Sequence, residues 1–200
     1  MVSVQDMRVM EILSEATNVI AEGEVKQLLN IHNADLDEAG YLDVIHCKTA
    51  KLFESAAQLG ALLGRGEEPL IATMARYGVH LGAAFQLIDD ALDYHADSAT
   101  LGKNVGDDLA EGKPTLPLIY LMRNGSPAQQ SLLRKAIEEG AGEPLQEVIE
   151  MIASSDAIEY TRSFAGREVA KAKEALADVP ASAYREALKA LADFAIQRSF

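Results

Sequence analysis

The sequence predicts an all-α fold in one domain spanning residues 1–200. Three observations carry this. Ala, Leu, Glu and Lys, the strong helix formers, are plentiful throughout. No stretch shows the period-two alternation of a half-buried strand. Breaks fall where turn chemistry is dense, at 33–37, 64–66, 97–112, 124–127 and 140–144. A length of 200 residues suits one domain with a sizeable core, and no repeat or linker divides it.

The elements follow in order. The first helix, 5–31, carries Val9, Leu13, Ala16, Ile20, Gly23 and Gln27 at three- and four-residue spacing, which brings Gln27 inward. Asp35-Leu-Asp-Glu38 has the look of a helix start, its carboxylates suited to capping free amides. The helix that follows, 38–63, predicts a buried seam through Leu42, Ile45, Thr49, Leu52, Ala56, Leu59 and Leu63, with Lys48 beside Thr49. A third long helix covers 69–95. After a long polar loop come 114–123, with Pro114 in its first turn, then 127–139, 143–153, 155–177 and 181–198.

Bulk properties exclude several function classes. Hydrophobic residues make up 48% of the chain, yet no apolar run nears the ~20 residues of a membrane span. The start, Met1-Val-Ser-Val-Gln-Asp6, lacks the basic and apolar regions of a signal peptide. The single cysteine, Cys47, excludes an internal disulfide and fits a reducing cytoplasm. A net charge of −13 argues against nucleic acid or an anionic membrane as partner. An anionic ligand would need metal ions or a few placed lysines.

The third helix and the loop after it are where such a ligand would sit. Leu81, Phe85, Ile88 and Leu92 form an apolar stripe, widened by Ala84, Leu87 and Ala91. Gly82, Gln86, Asp89 and Asp93 form a second stripe about 100° away. No Lys, Arg or Glu occurs from Gly78 to Tyr94, so the carboxylates lack a cation on their own helix. Crowded carboxylates repel and resist burial unless a counter-charge is supplied. Mg²⁺ suits them, since it takes one or two carboxylates plus phosphate oxygens. A solvated acidic face is the ordinary explanation for a bare Asp-Asp-x-x-Asp, but the apolar arc and the missing basic partners speak against it. The loop adds Lys103, Asp107, Asp108 and Lys113 among glycines, and lysine is well suited to phosphate. Irregular loops of this length are usually functional or disordered.

These residues resemble a known family. Gly82-Ala-Ala-Phe-Gln-Leu-Ile-Asp-Asp-Ala-Leu-Asp93, then Gly102-Lys103, Gly106-Asp-Asp108 and Gly112-Lys-Pro-Thr-Leu-Pro117, are similar to the second aspartate-rich region of the trans-prenyltransferases, the polyprenyl synthetase family. Lys48-Thr-Ala50 resembles that family's Lys-Thr pair, and Glu22-Gly-Glu-Val-Lys-Gln27 the helix before it. The resemblance runs through most of the chain and is nearest to the octaprenyl diphosphate synthase branch. It implies a helical bundle of the isoprenoid synthase type that condenses isopentenyl diphosphate onto an allylic diphosphate such as farnesyl diphosphate. The product would be a long all-trans chain for quinones, made by a cytoplasmic homodimer.

By the same resemblance, Asp89, Asp90, Asp93 and Asp108 serve Mg²⁺, Asp89 most directly. Lys48 and Lys103 hold the leaving diphosphate, Thr49 and Gln86 line the allylic site, and Phe85 packs near isopentenyl diphosphate. Lys113 supports the loop, and Gln27 joins the polar lining. The family also carries a first aspartate-rich motif and upstream basic residues, and neither is found in this sequence. The expectation is a chain that opens inside the family fold, is inactive alone, and exposes apolar faces of 5–31 and 38–63. Two other readings stand beside it. One is a class I terpene cyclase, whose second metal motif mixes Asn, Ser and Glu. The other is a non-catalytic partner subunit or helical interaction module, a kind that tends to lose the aspartates retained here.

Overall fold

The structure is a computed structural model that describes residues 4–94, 105–140, 142 and 144–198. Among the described residues the regular secondary structure is all helical, without strands. The helices are α1 (Met7–Asn30), α2 (Glu38–Ile45), α3 (Lys51–Leu63), α4 (Glu68–Leu92), α5 (Asp107–Ala110), α6 (Leu116–Asn124), α7 (Pro127–Glu139), α8 (Leu145–Ala153), α9 (Ala157–Ala175) and α10 (Ala183–Gln197). A π-helical turn, His46–Ala50, joins α2 to α3 without a break. No helix among the described residues is long and apolar enough to cross a membrane.

Two compact units are present. The first comprises residues 1–24, 44–86 and 165–197. Val9, Ala16 and Gly23 recur every seven residues on α1, and all three are buried. Lys51 ties α1 to α3 through Glu15 at 2.7 Å and Glu54 at 2.9 Å. Tyr77 of α4 donates its hydroxyl to the Leu188 carbonyl of α10 at 2.8 Å. His80 of α4 meets the buried Glu168 of α9 at 2.7 Å, and Lys171 approaches the other oxygen of Glu168 at 2.8 Å.

The second unit comprises residues 25–43, 87–164 and 198–200. Its core gathers Tyr94, Leu109, Leu118, Leu121, Leu133, Ile137, Val148 and Ile152. Helix starts follow the sequence chemistry. Asp37 Oδ1 accepts the Gly40 amide at 2.8 Å, which caps α2. Ser126 and Gln129 form a reciprocal capping box on α7. His32 accepts a left-handed backbone, donates its amide to the Gly112 carbonyl at 2.8 Å, and places Nδ1 2.8 Å from the Ile137 carbonyl.

Three expectations are corrected. The seam through Thr49, Leu52, Ala56 and Leu63 is not a buried one: Leu52 is 57% and Leu63 55% exposed, whereas Ala50 and Ser55 are buried. The π-turn inserts one residue, and about 100° of phase, after Ile45, so different positions turn inward beyond it. The loop 96–113 is not irregular throughout, because α5 forms within it. The helix expected at 114 starts at Leu116, with Thr115 extended at its N-cap. On α1, Met7, Val25, Leu28 and Leu29 are exposed.

Candidate active site

In the first unit, the site residues come from the π-turn and from the second half of α4. Thr49 Oγ1 donates to Gln86 Oε1 at 2.9 Å, which joins the two residues assigned to one lining. Phe85 packs its ring against Phe53 with centroids 5.3 Å apart. Phe85 is half-buried, whereas Leu81, Ala84, Leu87, Ile88 and Ala91 of the expected stripe are buried. Lys48 Nζ lies 2.9 Å from Glu24 Oε2, so its ammonium already has an anionic neighbour.

In the second unit, the end of α4 and the turn after it supply three carboxylates in three different environments. Asp90 is buried, 3% exposed, and its Oδ2 accepts the Tyr41 hydroxyl at 2.6 Å. Burial and then the Asp90 charge push the Tyr41 phenol well above its ordinary value, so it stays a donor. Asp90 is thereby placed in the core. Asp89 is partly exposed and meets the Arg198 guanidinium at 3.0 Å. Helix α4 itself supplies no cation to these carboxylates, as expected, and the one beside Asp89 comes from a residue distant in sequence.

Asp93 is held where its charge is disfavoured. Its Oδ2 accepts the Asp108 amide at 3.1 Å, and its carbonyl accepts the Gly106 amide at 2.9 Å. These two bonds fold α5 back against the end of α4, and Gly106 takes the left-handed backbone that the reversal requires. Burial first, and then the charges of Asp108 and Asp107, push the Asp93 carboxyl from 3.8 up to about 7. The Asp108 amide and Lys113 oppose that rise without cancelling it. Lys113 Nζ lies 3.3 Å from Asp108 Oδ1 and 2.5 Å from Glu111 Oε2. Burial pulls its ammonium down, but its bonds to Glu111 and Asp108 outweigh that and raise it, so it is a fixed cation.

The structure therefore brings Asp93, Asp108 and Lys113 together, and pairs Thr49 with Gln86. Gln27 is half-buried on α1. Lys103 lies outside the described residues. Reading the sequence missed Tyr41, Arg198 and the part played by Asp107. Asp107 stood inside the quoted loop motif, but nothing in the local pattern of Tyr41 or Arg198 marks it, since each partner is far away in sequence. Among the described residues, no three His, Cys, Asp or Glu side chains converge as a cluster able to hold a metal alone.

The polyprenyl synthetase family model matches residues 1–153. The chain belongs to this family. The octaprenyl diphosphate synthase of Escherichia coli (strain K12) is 50% identical over 99% of this chain, which spans 62% of that relative. That of Haemophilus influenzae is 45% identical over 98% of this chain and 60% of its own length. The crystal structure of a polyprenyl synthase from Caulobacter crescentus CB15, complexed with calcium and isoprenyl diphosphate, superposes with a TM-score of 0.93. It is 43% identical over 98% of this chain and 61% of that one. A polyprenyl synthetase of the helical isoprenoid synthase fold thus accounts for the architecture.

Proposed function

We propose that this chain belongs to a Mg²⁺-dependent trans-prenyltransferase that condenses isopentenyl diphosphate onto an allylic diphosphate such as farnesyl diphosphate. The product proposed is octaprenyl diphosphate, and the enzyme a cytoplasmic homodimer with one catalytic domain. The observation that carries this reading is Asp93. Its Oδ2 accepts the Asp108 amide at 3.1 Å, and Lys113 Nζ lies 3.3 Å from Asp108 Oδ1, so carboxylates and a lysine meet at one turn, which supports a place for a dication and phosphate. The octaprenyl product is supported by the Escherichia coli and Haemophilus influenzae relatives at 50% and 45% identity.

The donor set fits the metal: carboxylate oxygens on neighbouring turns, with a lysine close by for phosphate. Asp89 and Asp93 would hold Mg²⁺, with Asp108 supporting from α5. Bound there, Mg²⁺ supplies Lewis-acid neutralisation of the departing diphosphate. Lys48, Lys103 and Lys113 would hold phosphate oxygens as the carbon–oxygen bond ionises. Thr49 and Gln86, fixed by their mutual hydrogen bond, would line the allylic site. Phe85 and Phe53 would give it an apolar wall that excludes water. Asp90 and Tyr41 hold the carboxylate-bearing turn in place from within the core.

The test is a thermal melt of the 200-residue chain with MgCl₂ and inorganic pyrophosphate, together and separately. Together, at 100 times the dissociation constant, they should stabilise the fold by about 2.7 kcal/mol. Asp89→Ala should remove the shift. An equal shift in Asp89→Ala would refute the metal site.

A further inference from the structure

The rod 38–63 leaves α register at one place, the π-turn His46–Ala50, and that turn carries Lys48 and Thr49. The Lys51 amide at its end donates to the His46 carbonyl, five residues back. A π-turn is rare, and its surroundings must favour it over the tighter α-helix. Two glycines on two other helices supply that condition. On α1, a Cβ at Gly23 would lie 2.6 Å from the Lys48 backbone nitrogen and 2.8 Å from Cys47 Cβ. On α4, a Cβ at Gly82 would lie 2.7 Å from Ala50 Cα and 3.0 Å from Phe53 Cβ. The nearest atoms belong to the backbone of the turn, which cannot swing aside like the tip of a side chain. The widened backbone occupies space that two absent side chains leave for it. Each glycine also neighbours a partner of the pair. Glu24 follows Gly23 and meets Lys48 Nζ at 2.9 Å, and Gln86, one turn beyond Gly82, accepts from Thr49.

We propose that Gly23 and Gly82 are positioning residues that hold residues 46–50 in π register and thereby aim Lys48 and Thr49 at the diphosphate. The second half of this statement rests on the reading of Lys48 as a diphosphate-binding cation. A methyl group at either glycine pushes the turn away and favours its return to α register. That rotates Lys48 and Thr49 relative to the helices on which Glu24 and Gln86 are fixed.

The test compares the 200-residue chain with Gly23→Ala and Gly82→Ala, using two readouts. Nuclear magnetic resonance coupling across the hydrogen bond identifies which carbonyl the Lys51 amide contacts. It is His46 in the parent, and Cys47 is expected in the variants. Calorimetric titration with inorganic pyrophosphate and MgCl₂ measures the aim. A lost charge-assisted hydrogen bond weakens binding by about tenfold or more, whereas a merely structural role leaves the affinity of the folded variant unchanged. A Lys51–His46 bond retained in both variants would overturn the register claim. An altered register with unaltered affinity would overturn the positioning role. Failure of the parent itself to bind pyrophosphate would overturn the assignment of Lys48, and the coupling measurement would still decide the register. If circular dichroism shows both variants unfolded, the glycines serve stability and the proposal falls.

Discussion

Asp93→Asn should make the metal-free chain more stable and unable to respond to metal. The folded state raises the Asp93 carboxyl from 3.8 to about 7, so between those values it binds a proton that the unfolded chain releases. The sign follows. The contribution is fully present below pH 3.8, declines as pH rises towards about 7, and above that the ionised group is a net burden on the fold. That rise corresponds to about 4 kcal/mol at most. Partial exposure of Asp93 and screening by salt reduce this to about 2 kcal/mol. Asparagine keeps an oxygen for the Asp108 amide while it removes the charge. For a chain of this length, about 2 kcal/mol raises the melting temperature by about 5 °C. Scanning calorimetry without divalent metal, at pH 8 and at pH 4, should show that gain at pH 8 and almost none at pH 4. Added MgCl₂ and pyrophosphate should then stabilise the parent and leave the variant unchanged. Equal melting temperatures for parent and variant at pH 8, or the same gain at both pH values, would refute the electrostatic account of the site.

Three other perturbations test neighbouring parts of the argument. Tyr41→Phe removes a donor from the buried Asp90 carboxylate and should cost about 1–3 kcal/mol by urea unfolding at pH 7; an unchanged midpoint would show that the bond is dispensable. The Glu168 carboxyl is lowered from 4.5 to about 2, where bonds to His80 and Lys171 outweigh burial, so its stabilisation is present above pH 4.5 and lost as pH falls through about 2. Glu168→Gln should therefore lose about 3 kcal/mol at pH 7, and the deficit should shrink in acid; a deficit independent of pH would point to packing instead. The 200-residue chain alone should incorporate no radiolabelled isopentenyl diphosphate into farnesyl diphosphate, because it carries a single aspartate-rich cluster and loss of even one preorganised contact slows such reactions by about 10²–10³. Robust elongation by this chain would refute that expectation.

The sequence by itself determined the helical class, the long helix with its acidic stripe, the capped start within Asp35–Glu38, and the loop motif that leads to the family. These depend on residues close together in the chain, where periodicity, capping and turn chemistry act within a few positions. Only the tertiary structure decided how the three aspartates differ. Asp90 lies in the core where Tyr41 reaches it, Asp89 meets a cation because Arg198 lies beside it, and Asp93 resists ionisation because it is buried and because α5 folds Asp108 and Asp107 against it. The π-turn was hidden for the same reason. Its sequence, His46-Cys-Lys-Thr-Ala50, reads as ordinary helix, and the cause of its register lies in the space left by Gly23 and Gly82 on two other helices. Helical periodicity records which face a segment buries, but the charge and shape that meet that face come from residues far away in the chain, and folding alone brings them together.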